Sequence, residues 1–237
     1  MKGGKRNGLK KNDTETRRHG DAEDKAFTSP RHPFPASPRR RLERYGEHTT
    51  LKNTSEKSES PVSAVLLDRD GTLLEDPGYL ADPGGIVFLP GVIPSLKKLQ
   101  EKGYLLLVVT NQSGVGRGYF DEETGIAVNI RMAEILRDHG VRLTGIYYCR
   151  HHPDRGCRCR KPGTLMAERA ASDFGIDPES SWMVGDAAKD VLMGIRAGLR
   201  SILVMTGRPL EEELPDGVPV KRDMEEAVRH IIREDAV

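Results

Sequence analysis

The chain has 237 residues, a length that accommodates one α/β domain of ordinary size together with a flexible extension. Its net charge of +1 hides an asymmetry, because residues 1–60 carry 15 Lys and Arg against 9 Asp and Glu, whereas the rest carries 22 basic and 27 acidic side chains. The acidic balance of the larger part argues against a wholly basic nucleic-acid binder. The sequence also lacks both an apolar run of the roughly 20 residues that a membrane helix needs and a secretory signal, so we expect a cytoplasmic protein without a membrane segment.

Residues 1–60 are rich in Lys, Arg, Ser, Thr, Pro and Gly, and their apolar residues follow no sustained period. This composition predicts a disordered basic extension, followed by one folded domain over residues 61–237. The basic segment PRRRLER at 38–44 could bind an acidic surface weakly, but a solvated charge run is the simpler interpretation.

From residue 62 onward, buried strands and amphipathic helices alternate. The apolar run VSAVLL at 62–67 predicts a first strand that delivers the polar sequence DRDGT to a loop. Further strands are predicted at 104–110, 141–148, 181–184 and 200–204, and helices at 92–103, 121–139, 164–174, 188–197 and 224–234. This alternation predicts an α/β fold with a Rossmann-like parallel sheet and helices on both faces.

Polar residues that directly follow the predicted strands are candidates for a functional site, because open α/β sheets bind ligands beyond the carboxyl ends of their strands. In LLDRDGTL at 66–73, Asp68 and Asp70 are two residues apart and can project from one side of an extended chain. Taken alone, the two aspartates could also be solvated caps of an ordinary turn.

Three other segments occupy equivalent places. VVTNQSG at 108–114 ends a strand in neutral hydrogen-bonding groups suited to phosphate oxygens, RKP at 160–162 offers a fixed positive charge, and WMVGDAAKD at 182–190 places two carboxylates one helical turn apart. The side chains concerned are Thr110, Asn111, Gln112, Ser113, Arg160, Lys161, Asp186 and Asp190.

In this order, the motifs D-x-D-G-T, T-N, K-P and G-D-x-x-x-D resemble those of the haloacid dehalogenase-type phosphatases over residues 62–207. The resemblance implies that Asp68 attacks phosphorus to form an aspartyl-phosphate, while Asp70 protonates the leaving oxygen and later activates water. It further implies that Thr110 and Lys161 hold the transferring phosphoryl group.

The same resemblance implies a magnesium site. Asp68, the backbone carbonyl of Asp70 and Asp186 would coordinate Mg²⁺, which offsets the repulsion between carboxylates and phosphate. Asp190 would steady this arrangement without touching the metal.

A second metal site is predicted between the third strand and Lys161. The series C-x-H-x5-C-x-C supplies Cys149, His151, Cys157 and Cys159, four ligands suited to tetrahedral Zn²⁺. With every ligand supplied by protein, the zinc would be structural. His152 could exchange roles with His151, and a metal-free loop of reduced cysteines is the alternative.

Together with DPGYL, TNQSGVGRG, CRHHP and CRCRKP, this loop is similar to the subgroup of D,D-heptose 1,7-bisphosphate phosphatases and histidinol-phosphatases, which lack a large cap domain. The similarity implies that Asn111, Gln112, Ser113, Arg160 and also Arg69 and Arg117 lie near the substrate. Ala187 departs from the pattern, since the family often has Lys or Arg there.

We therefore expect a magnesium-dependent phosphomonoester hydrolase acting on a small phosphorylated metabolite, first of all on heptose 1,7-bisphosphate with loss of the 7-phosphate. The alternatives are a histidinol-phosphate phosphatase, a nucleic-acid 3′-phosphatase, which the acidic domain disfavours, and a non-catalytic zinc-stabilised binding module.

Overall fold

A computed structural model describes residues 62–210 and 212–235. The predicted extension at 1–60 lies outside these residues and stays a prediction. None of the helices in the described ranges is long and apolar enough to cross a membrane.

Six parallel strands form one sheet in the order β3-β2-β1-β4-β5-β6. The strands are β1 (Ala64–Leu67), β2 (Leu105–Asn111), β3 (Gly145–Cys149), β4 (Trp182–Gly185), β5 (Arg200–Val204) and β6 (Val220–Lys221). Because the chain leaves β1 in one direction to form β2 and β3 and later returns to its other side with β4, the carboxyl end of β1 is the point where the strand order reverses. Open α/β sheets place their ligands at such a point.

The helices are α1 (Val92–Glu101), α2 (Ser113–Gly116), α3 (Glu122–Asp138), α4 (Leu165–Phe174), α5 (Ala188–Arg196) and α6 (Met224–Glu234), with 3-10 turns at Pro83–Gly85 and Pro153–Arg155. Local signals explain several boundaries. The Asp121 side chain accepts from the Thr124 backbone N–H and caps α3, and α4 ends at Gly175 in the left-handed region.

Side chains of successive strand residues point to opposite faces of the sheet and divide the core in two. Val65 and Leu67 of β1 face one cluster, to which α1, α3 and α6 contribute, while Ala64 and Leu66 face the other, to which α4 and α5 contribute. The predicted Rossmann-like sheet with helices on both faces is therefore confirmed.

The connections after β1, β2 and β3 hold only short helices or turns before the next long helix, and within the described residues no second domain is inserted between the strands. The site at the carboxyl edge of the sheet is consequently framed by loops. The sequence-based boundaries differ from the observed ones at β3, which begins at Gly145, because residues 141–144 lead from α3 to the sheet as coil while Val141 is buried in the core.

Candidate active site

A buried lysine lies at the centre of the site. The Lys161 ammonium donates to Asp68 Oδ1 at 2.5 Å and to the Val109 carbonyl at 2.8 Å, and it lies 2.7 Å from Asp190 Oδ1. Its side chain is 0% exposed. Burial by itself would lower the pKa of Lys161, but the charges of Asp190 and Asp68 outweigh burial and raise that pKa. Lys161 is therefore a permanent cation between two carboxylates.

Asp68 follows β1 directly, and its backbone N–H donates to the Val184 carbonyl of β4 at 3.0 Å, which fixes the nucleophile candidate between two strands. Asp186 follows β4. One carboxylate oxygen from each of Asp68, Asp186 and Asp190 can be chosen so that the three lie within 4.8 Å of one another. Such a set of hard oxygen donors suits Mg²⁺.

Asp186 is enclosed by two glycines. A Cβ at Gly207 would stand 1.8 Å from Asp186 Oδ2, and one at Gly71 would stand 2.5 Å from the same atom, so neither position has room for a side chain. Burial first, and the charges of Asp68 and Asp190 next, raise the pKa of Asp186 to about 7. A cation bound here would relieve this repulsion between carboxylates.

Both carboxylate oxygens of Asp190 already face other groups of the protein. Its Oδ2 accepts from the Ala187 backbone N–H at 3.0 Å, while its Oδ1 faces Lys161, and the residue is fully buried. Asp190 thus connects the start of α5 to the lysine.

The second aspartate of the D-x-D pair lies in a different set of contacts. Asp70 accepts from Arg69 through both carboxylate oxygens, at 3.0 Å each, and its Oδ2 also accepts from Gln112 Nε2 at 2.9 Å. Gln112 also donates to Thr110 Oγ1 at 2.8 Å. The structure therefore joins Thr110, Gln112 and Asp70 into one hydrogen-bonded row across the ends of β1 and β2.

The other predicted substrate residues occupy varied positions. Asn111 holds the backbone of Lys161 at both polar groups, accepting from its N–H at 3.0 Å and donating to its carbonyl at 3.3 Å. Ser113 is half-buried at the first residue of α2. Arg160 is half-buried, and its Nη1 is a buried atom without a hydrogen-bond partner among the described residues.

The predicted zinc ligands come together in the loop that begins at the end of β3. One ligand atom each from Cys149, His151, Cys157 and Cys159 lies within 4.8 Å of the others. The Cys157 sulfur lies 3.5 Å from that of Cys149 and 3.4 Å from that of Cys159. The His151 Nδ1 lies 3.2 Å from the Cys159 sulfur. Tetrahedral zinc with Zn–S bonds of ~2.3 Å holds its sulfurs ~3.8 Å apart, so the cluster fits the ion closely.

Burial raises the pKa of the Cys149 thiol to about 12, so without a metal this cysteine stays neutral. A bound zinc ion would deprotonate it. The neighbouring His152 instead accepts from the Asp154 backbone N–H at 3.3 Å, and the cluster contains His151 and not His152.

Two features of the site were missed by the sequence analysis. Asn129 of α3 belongs to no recognisable sequence motif. Its Oδ1 nevertheless accepts a hydrogen bond at 2.7 Å from Nη1 of Arg69, which lies 60 positions earlier in the chain. Thr206 Oγ1 donates to the Gly71 carbonyl at 2.7 Å, so the loop after β5 closes over the D-x-D-G-T turn. The sequence TGRP, which begins two positions after the end of a predicted strand, is the signal that could have indicated this loop.

Comparisons with known proteins show which family the chain belongs to. A family model described as "HAD-hyrolase-like" matches residues 158–229. The D-glycero-beta-D-manno-heptose-1,7-bisphosphate 7-phosphatase of Haemophilus ducreyi is 46% identical over 158 residues, which cover 63% of this chain and 87% of that protein. The enzyme of the same name from Pasteurella multocida is 44% identical over 157 residues, covering 63% of this chain and 85% of that protein.

Among solved structures, D,D-heptose 1,7-bisphosphate phosphatase from B. bronchiseptica, complexed with magnesium and phosphate, matches with a TM-score of 0.68 at 30% identity and covers 73% of this chain and 99% of its own. The chain is therefore a phosphatase with the haloacid dehalogenase-like fold. It belongs to the family of the D-glycero-β-D-manno-heptose-1,7-bisphosphate 7-phosphatases. The sequence-based predictions of fold, family and phosphatase activity are confirmed.

Proposed function

We propose that this phosphatase removes the 7-phosphate of D-glycero-β-D-manno-heptose 1,7-bisphosphate through an aspartyl-phosphate on Asp68. The observation that carries the proposal is the buried ammonium of Lys161 in contact with Asp68, beside Asp186, at the carboxyl end of β1. This contact supports the proposal because a fixed cation beside a carboxylate suits a phosphoryl group, and because the relatives of the chain bear the name of that activity.

In the proposed reaction, an Asp68 carboxylate oxygen attacks phosphorus while the bond to the sugar oxygen breaks and Asp70 donates a proton to that oxygen. Water then attacks the phosphorus of the aspartyl-phosphate and gives a proton to Asp70, which releases phosphate and regenerates both carboxyl groups. Thr110 and Lys161 hold the oxygens of the phosphoryl group during both transfers.

Haloacid dehalogenase-like phosphatases use Mg²⁺, and we assign its ligands here to Asp68, the backbone carbonyl of Asp70 and Asp186. When bound, the ion supplies positive charge between the carboxylates and the phosphoryl oxygens. Zn²⁺ would be held by Cys149, His151, Cys157 and Cys159, as a structural ion that shapes the loop leading to Lys161.

The second phosphate of the substrate is assigned to Arg160. Its Nη1 is buried yet lacks a hydrogen-bond partner among the described residues, and a buried N–H group without an acceptor is costly. A phosphate oxygen would supply that acceptor, and the planar guanidinium is suited to bind it. Asn111, Gln112 and Ser113, which follow Thr110, are assigned to the same substrate site.

The proposal is tested by kcat/KM for the heptose 1,7-bisphosphate, its 7-phosphate, histidinol phosphate and 3′-phosphorylated DNA, with Mg²⁺. The bisphosphate should be preferred, and Arg160→Ala should erode that preference by roughly tenfold or more, the scale of one charged hydrogen bond. Arg158→Ala is the matched control, because Arg158 is exposed and pairs with Glu168. Equal efficiency on all four substrates, or a preference for histidinol phosphate, would contradict the assignment.

A further inference from the structure

The arginine between the two aspartates of the D-x-D pair is turned into the protein. Arg69 is 0% exposed, although both of its neighbours in sequence belong to the site. Its Nε and Nη2 each donate to one oxygen of Asp70 at 3.0 Å, its Nη1 donates to Asn129 Oδ1 at 2.7 Å, and its Nη2 also donates to Gln112 Oε1 at 2.8 Å. All three guanidinium nitrogens are thus engaged with protein acceptors.

This arrangement removes Arg69 from the possible phosphate contacts, because a fully buried group with its nitrogens engaged cannot meet a substrate. It also gives the guanidinium a different role. Two parallel N–H bonds from a planar group fix both the position and the plane of the carboxylate that accepts them. Asn129, on the long helix α3, accepts from Arg69 Nη1, the guanidinium nitrogen that does not contact Asp70. This bond keeps Arg69 and Asp70 from rotating together.

The contacts leave one part of the Asp70 carboxylate open. A carboxylate has about four lone-pair positions, two on each oxygen. Both positions of Oδ2 are used, by Arg69 Nη2 and by Gln112 Nε2, whereas among residues 62–210 and 212–235 the one donor to Oδ1 is Arg69 Nε. The Asp70 side chain is 22% exposed, so a ligand can approach this carboxylate, and Oδ1 is the oxygen that has a lone-pair position left for it.

We infer that Arg69, anchored by Asn129 and assisted by Gln112, is the positioning residue for Asp70, and that Oδ1 is the oxygen that carries the catalytic proton. The inference rests on the proposed function, in which Asp70 is the acid and base. In the first transfer the proton leaves Oδ1 for the ester oxygen as the P–O bond breaks. In the second, Oδ1 takes a proton from water as the water oxygen bonds to phosphorus.

A positioning role predicts a dependence on the leaving group. The alkoxide of a primary alcohol is a poor leaving group and needs a well-placed proton, whereas p-nitrophenolate is stable and leaves with little help. The value of kcat/KM reports the first phosphoryl transfer, to Asp68, for both kinds of ester. A misplaced Asp70 should therefore slow the alkyl ester far more than the aryl ester, while general damage to the fold slows both equally.

The experiment measures kcat/KM for the heptose 1,7-bisphosphate and for p-nitrophenyl phosphate in four proteins, the wild type, Arg69→Lys, Asn129→Ala and Arg200→Lys. Lysine keeps the charge but loses the two-bond geometry, so Arg69→Lys should reduce the ratio of alkyl to aryl efficiency by about tenfold or more, since small misplacements of a catalytic group cost up to about a hundredfold. Asn129→Ala should shift the ratio in the same direction by a smaller factor. Arg200 contacts Asp235 and Trp182, outside the site, and Arg200→Lys should leave the ratio unchanged.

An unchanged ratio in Arg69→Lys would overturn the inference, whatever the loss of overall activity. If Arg69→Lys does not fold, as judged by circular dichroism, Asn129→Ala decides, and a wild-type ratio in that variant is the negative result. Failure of the proposed function gives a different outcome, because the wild type would then show no preference for the heptose 1,7-bisphosphate over histidinol phosphate, or Asp68→Asn would keep its activity on both esters.

Discussion

Replacing Lys161 by methionine removes the only cation that contacts both Asp68 and Asp190 in the described part of the chain. The lysine side chain is 0% exposed, and those of its two partners are 9% and 0% exposed, so water cannot take over the lost contacts. Breaking a buried ion pair by removing one partner costs about 3–5 kcal/mol, because it leaves uncompensated charge behind. We expect Lys161→Met to lower the free energy of unfolding by this amount at neutral pH without Mg²⁺.

The loss should be partly reversible by a second substitution. In Lys161→Met/Asp190→Asn one of the two stranded charges is gone, so the double variant should be more stable than the single one, although both lack activity. Urea denaturation followed by circular dichroism gives these free energies, with Lys98→Met, at an exposed position of α1, as a control expected to stay within about 0.5 kcal/mol of wild type. A loss below about 1 kcal/mol in Lys161→Met, or a double variant less stable than the single one, would refute the reasoning.

Three further predictions concern the metals and the domain boundary. Burial and the charges of Asp68 and Asp190 raise the pKa of Asp186 to about 7, so its proton competes with Mg²⁺ below that pH and not above it. Titration calorimetry should find Mg²⁺ binding about tenfold weaker at pH 6 than at pH 8, and equal affinity at both would contradict the assignment. Cys157→Ser should lower both the zinc content found by elemental analysis and the thermal stability. If elemental analysis found no zinc in the purified wild-type protein, the structural zinc ion would be excluded. Removal of residues 1–60 should leave kcat nearly unchanged, because no residue with an assigned role lies there. A large loss of kcat would show that the predicted domain boundary at residue 61 is wrong.

Much of the fold is readable from local patterns. Apolar runs such as that ending at Leu67 are followed by polar loops, and each run lies where the structure has a strand, because a strand buried on both faces needs a continuous apolar stretch. The short edge strand β6 was missed, since its two residues carry no period and pair only because β5 lies beside them. The helix α2, with two glycines in its four residues, has equally little local signal.

The candidate site was predicted to the extent that its residues follow strands. Asp68 and Asp186 could be named in this way, because parallel strands end at the same edge of the sheet. Lys161 lies 12 residues beyond the end of β3, and its role came from the resemblance to the phosphatase motifs. The contacts of Arg69 could not be predicted, since its acceptor on Asn129 lies 60 positions away on a helix face that looks like ordinary polar surface. A buried charge and its partners become visible only when the packing of α3 against the sheet is known.

The most direct test of the central claim is the comparison of Asp68→Asn with the wild type, using phosphate release from the heptose 1,7-bisphosphate with Mg²⁺ and ³¹P NMR to identify the phosphate lost. The amide keeps the shape of the side chain but lacks the nucleophilic charge. We predict that the wild type releases the 7-phosphate and that the folded Asp68→Asn protein shows no measurable turnover. Retention of more than about a tenth of wild-type turnover by Asp68→Asn would show that another group attacks phosphorus, since a lost nucleophile costs far more than tenfold.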